Sequence, residues 1–127
     1  MANSKAGMDG KRVNKSKAIR EAYLQLLQIY QQKNDQPKVI EFGEKTLKAD
    51  PSNIEALLAV TRAYSLDGKQ ASLDRAIQYA NKAIDQLGKM KSQPAQQGKT
   101  DEQWKQYIDS NDQLAKTYLS YAQSLKR

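Results

Sequence analysis

An all-α fold is predicted, a solenoid of paired helices with about two and a half repeats and five helices. Three observations predict it. Apolar residues recur at three- and four-residue steps along most of the chain. Helix start and stop signals punctuate those stripes at regular intervals. An echo of 34 residues links the first helix to the third. No alternating strand pattern accompanies them.

The first stripe is Ile19, Tyr23, Leu26, Leu27 and Tyr30, broken by Asn34-Asp35-Gln36. Pro37 suits the first turn of a second helix, where its missing N–H costs nothing. Val39, Ile40, Phe42, Thr46 and Leu47 continue it until Asp50-Pro51, where the residue before proline leaves helical geometry. Ser52 and Glu55 have the spacing of a capping box for a third helix, carried by Leu57, Leu58, Val60, Ala63 and Tyr64. Gly68 offers a left-handed stop. A fourth helix follows from Leu73 to Leu87 and is expected to close at Gly88. Residues 89–99 read as a polar loop. Thr100 and Gln103 form a second capping box, opening a helix over 101–126 through Trp104, Ile108, Leu114, Tyr118, Ala122 and Leu125.

The echo defines the units. Tyr30 and Tyr64, Leu24 and Leu58, and Glu21 and Glu55 are each 34 apart. Ile40 and Ile77, Phe42 and Tyr79, and Lys45 and Lys82 are each 37 apart, after three extra residues in the Lys69–Ser72 segment. Repeat one is thus 20–53 and repeat two 54–90, within a helical domain over 17–126. A helix pair buries only part of its apolar surface alone, so neighbours must stack.

At these residues the chain resembles the tetratricopeptide repeat family. The family's bulky sites fall on Tyr23, Leu26 and Tyr30, then on Leu57, Val60 and Tyr64. Its closing proline falls on Pro51, and its small sites on Ala76 and Ala83. Leu27, Val39 and Thr46 depart from the small-residue pattern, and Gly88 stands where proline is usual. A third unit has only its first helix, with Leu119 and Ser120 at the bulky and small sites. The resemblance implies a right-handed solenoid whose first helices line a concave groove for a peptide or a partner helix. Carried onto this sequence, the groove positions are Glu21, Leu24, Gln25 and Gln28, then Glu55, Leu58, Ala59 and Arg62, then Thr117, Tyr118 and Tyr121. Leu24 and Leu58 either face a ligand or pack between helices. Arg62 either meets a ligand or pairs with Glu55 or Asp67. The carboxylate clamp of chaperone-tail-binding members is absent, since Leu24, Gln28 and Ala59 stand at its Lys and Asn positions.

The expected function is therefore a non-catalytic protein–protein interaction scaffold. No catalytic residue, cofactor or metal is expected. With no His and no Cys, the usual general base, thiol nucleophile and soft metal ligands are missing. The carboxylate pairs Glu41/Glu44 and Asp109/Asp112 have the spacing of a solvated helix face. Gly98-Lys99-Thr100 ends like a phosphate-binding loop, but Gln93 replaces the glycine that motif needs.

The charge of +7 is uneven. Residues 1–20 hold six Lys and Arg against Asp9. Residues 1–16 read as a disordered basic arm, open to being part tag over 1–7. That arm motivates the alternative function, an adaptor tethered to nucleic acid or an anionic membrane. It lacks aromatics for stacking and any amphipathic pattern, so a solubilising tail is favoured and nucleic acid and membrane partners are unlikely. A terminal helix without its partner leaves Tyr118, Ala122 and Leu125 to be covered. Either the chain self-associates through 104–125, or Trp104–Ile108 folds back onto the array. The hydrophobic content of 39% contains no run long enough for a transmembrane helix. The cytoplasm is the default compartment, with a removed export signal left open.

Overall fold

A computed structural model describes the backbone of residues 2–127 and the side chains of residues 15–127. Five helices follow in order: α1 (Ala2–Gln32), α2 (Gln36–Ala49), α3 (Ile54–Asp67), α4 (Gln70–Met90) and α5 (Asp101–Leu125). The fold is all-α, with no strand among the described residues.

The helix ends follow from local chemistry. At the end of α1, Asn34 takes φ 56°. The Asp35 N–H donates to the Tyr30 carbonyl at 3.0 Å and the Asn34 N–H to Gln31 at 3.1 Å, which satisfies two orphan carbonyls. Asp35 then caps α2, accepting from the Lys38 N–H, with Pro37 in the first turn. Gly68 ends α3 at φ 76°, a conformation that costs other residues about 1–2 kcal/mol. Thr100 and Gln103 close both bonds of the expected capping box on α5.

Two expectations are corrected. The α3 cap is Asn53, whose side chain accepts from the Ala56 N–H at 3.0 Å, so Ser52 and Glu55 do not form a box. Ser52 and Asn53 are both good caps, and the chain enters helical geometry one residue later than the box requires. Gly88 does not end α4. The helix continues to Met90, because Leu87 and Met90 are both buried and a helical glycine costs only about 1 kcal/mol. The helix α1 begins at Ala2, within the segment read as a basic arm. Met1 and the side chains of 2–14 lie outside the described residues.

Each helix packs on the next, and α3 additionally touches α1 and α5. Ten of the fourteen α3 residues are buried, which makes it the central rod. Its buried Thr and Ser hydroxyls stay satisfied within the helix: Thr61 donates to the Leu57 carbonyl and Ser65 to the Thr61 carbonyl. Small residues set the closest approaches. Gly43 lies so near Val60 that a Cβ there would meet Val60 Cγ1 at 2.3 Å. On α5, Ile108, Ala115 and Ala122 recur every seven residues, and all three are buried.

Candidate functional site

α3 lies between α1 and α5, so the three helices that the groove expectation invokes are neighbours. One hydrogen bond and one charge interaction mark their shared side. Gln28 on α1 donates its amide to Glu55 on α3 at 3.2 Å. Tyr107 on α5 has its hydroxyl pushed above the ordinary tyrosine value by burial and, second, by the Glu55 charge. Glu55 is thus a meeting point of α1, α3 and α5.

The expected groove residues divide by exposure. Glu21, Gln25, Gln28, Glu55, Thr117 and Tyr121 are exposed, and Leu24, Arg62 and Tyr118 are half-buried. Leu58, 7% exposed, takes the packing alternative, and Ala59 is corrected: at 2% exposure it holds helices together and is not open to a partner. The reason is the central place of α3, packed by all four other helices. Leu24 likewise packs against the core. Thr117 spends its hydroxyl on the Gln113 carbonyl. Arg62 forms a salt bridge with neither Glu55 nor Asp67.

On α5 the open stripe differs from the expected one. Ala122 is fully buried, while Leu114, Tyr121 and Leu125 are 40–46% exposed. The sequence shows a stripe but not its azimuth, and Leu114 beside Ala115 gave no sign of which would turn inward. The start of α5 folds back: Ile108 is buried and the Trp104 indole N–H donates to the Met90 carbonyl at 3.3 Å. A cleft of about 540 Å³ lies beside it, lined by Pro94, Ala95, Trp104, Lys105 and Ile108. Lys99 sits 5.0 Å from the Tyr107 ring centroid, which itself stacks with Trp104.

The echoed residues take matching positions. Tyr30 stacks on Phe42 with centroids 5.5 Å apart, and Lys45 lies 5.0 Å from the Phe42 centroid. Tyr64 stacks on Tyr79 at 6.0 Å, and Lys82 lies 5.5 Å from the Tyr79 centroid. The second cluster adds a carboxylate that sequence reading treated only as half of a surface pair. Glu44 Oε1 accepts from the Tyr64 hydroxyl at 2.5 Å and the Tyr79 hydroxyl at 3.3 Å, with Arg75 at 3.6 Å. Burial first, and then Glu44, pushes both tyrosine hydroxyls above their ordinary values. Glu41, the other half of that pair, binds Lys38 and Lys45. In the second pair, Asp112 holds Lys116 at 2.8 Å. No described helix is long and apolar enough to cross a membrane.

Compared with known proteins, the chain matches no family model, no curated protein and no solved structure.

Proposed function

We propose that this chain is a non-catalytic docking scaffold of the tetratricopeptide type, receiving a peptide or partner helix on the side shared by α1, α3 and α5. The observation that carries the reading is the repeated cluster. Tyr30, Phe42 and Lys45 make one aromatic stack with a lysine over it, and Tyr64, Tyr79 and Lys82 make another. Residues that echo in sequence and also echo in contact are what stacked helix pairs require. The available surface fits docking. It offers amides (Gln25, Gln28), carboxylates (Glu21, Glu55), a half-buried Arg62 and the exposed Tyr121. Tyr and Arg anchor interfaces more often than other side chains do.

Affinity capture with the intact chain beside an Arg62→Glu variant tests the reading. A partner recovered by the intact chain and lost by the variant supports it. Equal recovery of every partner removes the groove assignment. Arg62 is half-buried, so helical content of the variant is checked first by circular dichroism.

A further inference from the structure

Away from the α1–α3–α5 side, residues of α2, α3 and α4 enclose a cleft of about 350 Å³. Its apolar lining comes from the buried Leu47 and Leu57 and from the exposed Pro51 in the turn between α2 and α3. Its walls carry Lys48, Arg75 and Lys82 against a single carboxylate, Glu44. That carboxylate is engaged already by two tyrosine hydroxyls and Arg75. Lys48 and Lys82 form no salt bridge among the described residues. The cleft therefore presents uncompensated positive charge beside an apolar lining.

We propose that this cleft docks an acidic stretch of polypeptide. Carboxylates meet Lys48 and Lys82, and an aliphatic side chain between them rests on Leu47, Leu57 and Pro51. Charge complementarity selects the sign of the partner. Its class follows from what the cleft lacks. Tyr79, its one aromatic, is stacked on Tyr64 and has Lys82 over its ring, so no aromatic is free to stack a nucleobase. The exposed large apolar residues Ile19, Ile29, Leu66, Leu114, Tyr121 and Leu125 all lie outside the cleft, whereas a bilayer-binding surface sets such residues beside its cations. The site is separate from the groove of the proposed function and does not depend on it.

The test uses the full chain and a labelled peptide of about ten residues alternating glutamate and leucine, followed by fluorescence anisotropy at low salt, where exposed charges are least screened. The intact chain binds the peptide, and a glutamine-for-glutamate version does not bind. Lys48→Glu with Lys82→Glu weakens binding by about tenfold or more, because both attractive contacts become repulsive. Lys91→Glu with Lys105→Glu makes the same change of net charge beside the Trp104 cleft and leaves affinity within about threefold. All four lysines are exposed, and circular dichroism confirms that the variants fold. Arg62→Glu leaves the peptide affinity unchanged, which keeps this result distinct from the groove test. The proposal is overturned if the intact chain does not bind, or if the two double variants lose equally. It also fails if a single-stranded oligonucleotide or phosphatidylserine vesicles bind through Lys48 and Lys82 more tightly than the peptide.

Discussion

The ring of Tyr64 stacks on the ring of Tyr79, with centroids 6.0 Å apart and planes 8° from parallel. Tyr30 of α1 and Phe42 of α2 hold the same relationship, at 5.5 Å and 4°. The two pairs differ in their hydroxyl partners. Tyr64 also donates its hydroxyl to Glu44, which ties α3 to the helix before it. Tyr64→Phe removes that bond. Glu44 is partly open to water, so the expected loss is modest, about 0.5–1.5 kcal/mol by urea unfolding. The Tyr30 hydroxyl has no protein partner among the described residues, so Tyr30→Phe stays within about 0.5 kcal/mol of the parent. Equal losses for the two variants would deny Glu44 its bridging role.

Gly43 and Gly88 are both helical glycines, and alanine at each is expected to act with opposite sign. At Gly88 nothing lies within 4 Å of the added Cβ, so Gly88→Ala gains about 0.5–1 kcal/mol from helix propensity. At Gly43 the added Cβ runs into Val60, a stiff and fully buried side chain. Gly43→Ala therefore costs about 1–3 kcal/mol by overpacking. Adding Val60→Ala to Gly43→Ala relieves the clash, and a double variant less stable than the sum of the two singles would contradict this account.

The α3 cap separates two adjacent residues. Asn53→Ala should cost about 1 kcal/mol, because the Ala56 N–H loses its acceptor. Ser52→Ala should stay within about 0.5 kcal/mol of the parent, since Ser52 is exposed and outside the cap. Thermal midpoints rank them, and the reverse ranking would restore the Ser52–Glu55 box.

Docking of α5 depends on Ile108, which is 2% exposed. Ile108→Ala is expected to cost about 2–5 kcal/mol. Trp104, half-buried and bonded to Met90, reports the same event by fluorescence. Its emission in the native chain should lie to the blue of free tryptophan. Emission identical to the free amino acid would mean that α5 is not seated.

Alkaline pH should weaken the fold through Tyr64 and Tyr79. Both hydroxyls keep their proton to higher pH in the folded chain than in the unfolded one, where tyrosine titrates near about pH 10. Their contribution is complete below that pH. It is lost as pH rises through the raised folded values, because the unfolded chain then binds fewer protons than the native one. Lysines titrate in the same range, so the measurement compares variants. Stability should fall less steeply above about pH 10 in Tyr64→Phe/Tyr79→Phe than in the parent. Identical slopes would show that these hydroxyls are not perturbed.

The five rods and most of their ends were legible in the residues alone, because the signals are local. Pro37 can sit only where no amide is needed, Gly68 accepts a left-handed turn, and the Thr100–Gln103 box closes within one helical turn. The periodicity also marked Leu57, Val60, Leu73 and Leu87 as inward-facing, and all are buried. Choices that turn on contacts between rods were not legible. Leu58 and Ala59 echo the half-buried Leu24 and the exposed Gln25 of α1, yet four neighbours bury them. Gly88 looks like a stop, yet buried Leu87 and Met90 carry the helix past it.

Local hydrogen bonding and side-chain spacing therefore wrote the helices, their caps and the 34-residue echo directly into the chain. Only packing decided which flank of α5 turns inward, that Gly43 must stay small, and that Glu44 gathers Tyr64, Tyr79 and Arg75. The last two outcomes depend on distances between residues 17 to 35 positions apart, set by how neighbouring rods nest and not by anything within one helical turn.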